Sequence, residues 1–282
     1  MVRIVTDSTA DVAQDVVEKY GIEVVPLRVV FPDAIYKDRV DLSPDEFYRK
    51  LANSPKLPTT SQPPAADFEE AFRRAAADGS QVLAILISSL LSGTIASAET
   101  ARHDLPELPI TIFDSKTISV PMAFMVERAA SKAAAGATLD EILADLSVLR
   151  DRTQLLFVVE TLEYLRKGGR IGGAAALAGS LLSLKPVLTL RGGRVDAWGK
   201  ARGKRRALQM IVEAVREGVG TGPSVRAAVV HSAAPDEAEQ FRQEVQAALD
   251  CPELRVFQFT PVAGVHTGPG VVGLAAYNEQ WL

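Results

Sequence analysis

Three observations predict an α/β fold with a largely parallel sheet in the first half of this 282-residue chain. Strand-like and helix-like patterns alternate from Val2 onward, as they do in βα units. Residues 82–87 (V-L-A-I-L-I) form a short, continuous apolar run rich in β-branched side chains, suited to a strand covered on both faces. The length accommodates two domains, and a polar amphipathic helix ending near Arg152 marks the boundary. The prediction is an N-terminal, largely parallel α/β sandwich at 1–152 and a C-terminal mixed α/β domain at 153–282.

The elements follow in order. Residues 2–6 make a strand ending in D-S-T-A-D at 7–11, and a helix carrying Val12, Val16 and Val17 stops at Gly21. Residues 22–31 are extended, and Ser43-Pro44-Asp45-Glu46 opens a helix with a capping box. A proline-dense loop at 56–64 (K-L-P-T-T-S-Q-P-P) feeds a helix through Phe68, Ala71, Phe72 and Ala75. After the apolar run come a helix with Ile95, Ala98 and Ala101, a strand at 110–113 and a helix at 117–135. The boundary helix at 138–152 carries a second box, Thr138 with Glu141. The second half reads strand 155–160, short helix 162–167, turn Gly168-Gly169-Arg170 and a small-residue helix at 173–184. A hairpin, 187–190 and 194–197, turns through Gly192-Gly193. Helix 204–217, strand 225–231, helix 235–249 and strand 254–260 follow, then a loop at 264–273 and a final apolar run at 274–277.

Bulk properties narrow the function. A net charge of −4 and a pI of 5.6 argue against general affinity for nucleic acid or anionic membranes. One cysteine, Cys251, allows no intrachain disulfide and points to a reducing compartment. Residues 1–8 lack the regions of a signal peptide, and no stretch supplies the roughly 20 apolar residues of a membrane span. The chain reads as a soluble cytoplasmic protein with, at most, transient peripheral contact with membranes.

Residues 88–94 (S-S-L-L-S-G-T) place hydroxyls and a glycine where a buried strand hands over to a helix. Ser92-Gly93-Thr94 is either a plain helix cap or an anion site built from unpaired N–H groups. The turn K-G-G-R at 167–170 is either a helix C-cap or a glycine nest in which Arg170 meets phosphate. His266 stands in G-V-H-T-G-P-G, where glycines let backbone approach a ligand. The basic cluster Lys200, Arg202, Lys204, Arg205 and Arg206 is a solvated helix face or a docking patch. G-P-G-V-V-G at 268–273 lacks the following helix and acidic residue of a dinucleotide fingerprint. The three histidines are too scattered for a metal set, so no metal or cofactor is expected.

Five blocks together resemble the DegV family: D-S-T-A-D at 7–11, T-S-Q-P at 60–63, S-S-L-L-S-G-T at 88–94, L-E-Y-L-R-K-G-G-R-I at 162–171 and H-T-G-P-G at 266–270. The resemblance runs essentially end to end. It implies similarity to the fatty-acid-binding subunits of bacterial fatty acid kinase: two α/β domains, a buried acyl chain, and a carboxylate near their interface. A separate ATP-binding kinase subunit would phosphorylate the acid to an acyl phosphate for phospholipid synthesis. Carried over, Thr60, Ser61, Ser92, His266 and the backbone of Gly93 and Thr94 would surround the carboxylate, with Arg170 and Arg202 near the mouth. Family members often place Tyr-Gln after S-G-T, where this chain has Ile95-Ala96.

About fifteen buried methylenes contribute at most roughly 12 kcal/mol, much of it offset by association costs. The carboxylate needs hydrogen-bond donors to leave water. Met122, Phe124, Met125 and the helix at 174–184 are the expected tail walls. The expected function is a non-catalytic carrier. A serine-dependent acyl hydrolase or acyltransferase, using Ser92 or Ser61 with His266, and a phosphometabolite binder are the competing readings.

Overall fold

The computed structural model describes residues 1–180 and 184–282. Val2–Asp7 (β1) opens the chain, a 3-10 turn at Ser8–Ala10 follows, and Gln14–Tyr20 (α1) ends at Gly21, whose φ of 60° forms the left-handed cap. Glu23–Val25 (β2), Arg28–Val30 (β3) and Ile35–Lys37 (β4) precede Pro44–Asn53 (α2), which carries the complete capping box at Ser43 and Glu46. Thr59–Ser61 (β5), Ala65–Ala75 (α3), Gln81–Leu86 (β6), Thr94–His103 (α4) and Ile110–Asp114 (β7) come next. Val120–Ala134 (α5) and Leu139–Arg152 (α6) complete this half.

Strands β2, β1, β6 and β7 form a four-stranded, all-parallel sheet. Its residues alternate between two cores: Ile4, Leu83 and Ile85 pack with α5 and α6, while Val5, Val82, Ala84 and Leu86 pack with α3 and α4. That double burial explains why residues 82–87 contain no polar side chain. A separate three-stranded antiparallel sheet, β4-β3-β5, was not foreseen in the sequence. The T-S-Q-P segment, expected as loop, begins on its edge because Thr60 pairs with Val29 and Ser61 with Arg28.

The second half runs Gln154–Val158 (β8), Glu163–Lys167 (α7), Leu184–Arg191 (β9), Arg194–Arg202 (β10), Lys204–Val219 (α8), Val225–Ser232 (β11), Pro235–Leu249 (α9), Leu254–Gln258 (β12), Pro261–Thr267 (α10) and Val271–Asn278 (β13). Its six strands make one mixed sheet in the order β10-β9-β8-β13-β11-β12. The fold is thus mixed α/β, with one parallel and one mixed sheet. The β9–β10 turn has positive φ at both Gly192 and Gly193, as a tight two-residue hairpin turn requires. One face of the mixed sheet packs on α8 and α9. The other turns Leu155, Phe157 and Leu188 toward α7, α10 and Val120 of α5.

Three expectations need correction. Residues 172–180 form a 3-10 helix, not an α-helix, and 181–183 of the expected helix lie outside the described residues. Met122 and Met125 are fully buried beneath the parallel sheet, and Phe124 stacks edge-on against Tyr277, so these three are core rather than tail wall. His266 stands on α10, capped by Thr260 and opened by Pro261, not on a loop. No described helix is long and apolar enough to cross a membrane, and no described group of His, Cys, Asp or Glu could hold a metal.

Candidate ligand-binding site

A cavity of about 730 Å³ lies where β5, the loop after β6, the Arg170 turn, α10 and the open face of the mixed sheet meet. This is within the range of sites that enclose small organic ligands. Ile118, Leu155, Phe157, Leu190, Val195 and Phe259 line its apolar part. Thr60, Ser61, Ser92, Gly93, Arg170 and His266 also line the cavity and make a polar end assembled from four distant segments.

At that end His266 Nε2 lies 2.8 Å from Thr60 Oγ1. Burial, reinforced by the positive charge of Arg170, holds the imidazole pKa down to about 4, so the ring is neutral at pH 7. Among the described residues its buried Nδ1 has no partner; it faces Gly168, where a Cβ would come within 2.3 Å. Only glycine lets the chain pass there. An orphan acceptor costs less than an orphan N–H, which assigns the proton to Nε2. Nε2–H then donates to Thr60 Oγ1, leaving the Thr60 hydroxyl proton for a ligand.

Arg170 donates through Nε to Leu91 O at 3.0 Å and through Nη1 to Gly168 O at 2.8 Å. These bonds tie the S-S-L-L-S-G-T loop to the K-G-G-R turn. Among the described residues Arg170 has no carboxylate partner. A half-buried cation beside a neutral imidazole and several hydroxyls favours an anion. Ser92 Oγ sits 2.8 Å from Thr94 Oγ1, and Ser61, exposed on β5, donates to Gln62 O at 3.2 Å.

Two of the predicted residues do not line the cavity. Thr94 is fully buried and does not line the cavity; its N–H and hydroxyl are both directed to Ser92. Arg202 is exposed at the far end of β10, opposite Leu184, and lines neither the cavity nor the hollow beside it. That hollow shares Thr60, Arg170 and His266 with the cavity and adds Gly168, Lys56 and Lys167, making a basic approach to the polar end. The sequence reading also missed Gln62, whose carboxamide covers Gly93 and donates to Ser97 Oγ at 3.1 Å. Its position inside T-S-Q-P was the available signal. Lys204 was passed over within the basic cluster, yet it reaches Gly270 O at 2.7 Å and pairs with Glu160 and Glu237.

The hydrolase reading needs a serine on the histidine and an acid behind it. Here Ser92 bonds Thr94, His266 bonds Thr60, and Nδ1 faces Gly168 rather than a carboxylate.

Comparison with known proteins places these features in a lineage. The DegV family model, described as an uncharacterised protein of the DegV family, matches residues 1–279. A DegV domain-containing protein of Clostridium perfringens is 37% identical over 283 residues, covering 99% of each chain. A solved DegV family protein from Thermus thermophilus, described by its fatty acid binding, is 41% identical with a TM-score of 0.93, over 98% of this chain and 99% of that one. A stearic-acid-binding protein from Eubacterium ventriosum is 29% identical with a TM-score of 0.90, over 99% of both chains. Matched along almost its whole length by family model, sequence and fold, this chain belongs to the DegV family.

Proposed function

We propose that this protein is a carrier that buries a long-chain fatty acid and presents its carboxylate to a separate kinase subunit in the cytoplasm. The partner would bring ATP and form an acyl phosphate for phospholipid synthesis. The observation that carries the reading is Arg170, a cation without a carboxylate partner among the described residues, at the hydroxyl-lined end of an apolar cavity. Solved relatives described as fatty-acid-binding proteins support it. In this reading Thr60, Ser61, Ser92 and the Gly93 backbone receive the carboxylate, and His266 orients Thr60. Residues 1–152 and 153–282 act as the two units that enclose the ligand. The kinase approaches over the hollow bearing Lys56 and Lys167, with Arg202 further out as a docking residue.

Extraction of the purified protein with organic solvent, followed by mass spectrometry, should release a stoichiometric long-chain fatty acid. No extractable acid, together with no uptake of added oleate, would overturn the carrier reading. Mixing the loaded protein with ATP and an ATP-binding fatty acid kinase subunit should yield a hydroxylamine-trappable acyl phosphate. Loading without any acyl phosphate would remove the kinase role and leave the carrier.

A further inference from the structure

We propose that Leu190, backed by Leu155, sets the longest acyl chain this protein accepts; the inference rests on the fatty-acid reading above. Strands β8, β9 and β10 run antiparallel, with Leu156 opposite Thr189 and Leu190 opposite Val195. One step further along the β8–β9 register sets Leu155 beside Leu190. Leu155, Leu190 and Val195 therefore form a row across three strands on the cavity face.

The row lies at the opposite end of β8 from His266 and its partner Thr60. Helix α10, which carries His266, joins β12 to β13, and the first residues of β13 pair with the last of β8, Val272 opposite Val158. From Val158 back to Leu155 the strand covers roughly 10 Å. An acyl tail entering from the polar end runs along that face and meets the row end-on.

Leu155 and Leu190 also line a second hollow on the outer side, with Trp198 and Gly218. They are the two residues common to both linings, so they are the partition between the tail space and the outside. The row cannot simply recede. Ser88 Oγ donates to Gly193 O at 2.8 Å, and a Cβ at Gly193 would stand 2.5 Å from that oxygen. The hairpin tip next to Leu190 is thereby pinned to the loop after β6.

The test is displacement of a fluorescent fatty acid from the delipidated full chain by saturated acids of increasing length. Wild-type affinity should rise with each methylene and then fall past a limit. Leu190→Ala should move that limit to acids at least two carbons longer, with up to about a tenfold gain for the extra pair of methylenes. Leu190→Phe should move it the other way. If one of these fails to fold, Leu155→Ala removes the other half of the partition and should also lengthen the limit. A wild-type series with no limit, or an unchanged limit in the folded variants, overturns the role of Leu190 while leaving fatty-acid binding intact. Failure of every acid to bind wild type instead removes the fatty-acid reading itself.

Discussion

In the acidic cluster below β1, Asp7 accepts from Ile87 N–H at 2.8 Å and from Thr9 N–H at 3.0 Å. Asp11 is bonded by Ser119 and Arg39, and Asp38 accepts from Ser8 Oγ at 2.6 Å. At the polar end of the cavity the same residue types are arranged differently. Arg170 there has no carboxylate partner among the described residues, and Thr60 keeps a hydroxyl proton once His266 has donated to it. Both regions stood out in the sequence as hydroxyl-rich motifs at strand ends. The acidic cluster spends its groups on joining β1, β6 and α5 to one another, which is a structural use. The cavity end holds donors in reserve. What separates a framework motif from a binding motif is therefore the balance of donors and acceptors left over, which only the folded arrangement reveals.

The sharpest way to break this contrast is pH. Burial pushes Asp38 up to about 7 and Asp7 up to about 6, and one oxygen of Asp38 has no partner among the described residues. Between the ordinary carboxylate range and these values the folded chain holds protons that the unfolded chain has lost, so both groups make stability fall as pH rises. His266, held down to about 4, acts in the opposite sense and adds stability as pH climbs from about 4 to 6.5. Asp38→Asn removes one contribution and leaves the other two. Relative to wild type, it should gain about 3 kcal/mol on going from pH 5 to pH 8. Urea unfolding at the two pH values measures this, and an equal difference at both would show that Asp38 is not held protonated.

Asp7→Ala should cost about 2 kcal/mol of unfolding free energy at pH 7, because it strands the buried N–H groups of Ile87 and Thr9. Fatty-acid affinity of the folded variant should stay within about twofold. Lost binding with unchanged stability would make the acidic cluster part of the site. Ser92→Ala should do the reverse. Removing a hydroxyl from a charged acceptor weakens binding roughly tenfold or more, with a stability change below about 1 kcal/mol. Titration with a fluorescent fatty acid reads it, and unchanged affinity removes Ser92 from the carboxylate.

Local signals were legible in the chain where local physics decides. The capping boxes at Ser43/Glu46 and Thr138/Glu141 both form as the residues dictate, and the buried run at 82–87 alternates between two cores. Strand β5 was illegible because three residues acquire strand geometry only by pairing with β3, some thirty residues earlier. Helix α10 carries its signal in Thr260-Pro261, but Gly264, Gly268 and Gly270 signal a loop more strongly. Thr60, Ser61, Ser92, Gly93, Arg170 and His266 all line one cavity. The tail lining could not be read: Leu155, Leu190 and Val195 look like any core strand residues, and register alone brings them into a row.

Arg202 gives the smallest expected effect on binding and the clearest separation of roles. It lies outside the cavity at the end of β10, and among the described residues no ion pair or hydrogen bond holds its side chain. Surface changes of this kind alter stability by less than about 0.5 kcal/mol, so Arg202→Ala should bind fatty acid within twofold of wild type. Acyl phosphate formation with the kinase subunit should nonetheless fall, and should fall further at low salt relative to wild type, because an exposed charge steers an acidic partner most strongly when unscreened. Arg170→Ala differs: it breaks the ties to Leu91 and Gly168 and should lower binding and phosphorylation together. If Arg202→Ala lost both properties in parallel, the two arginines would share one role and the division between holding the ligand and meeting the partner would fail.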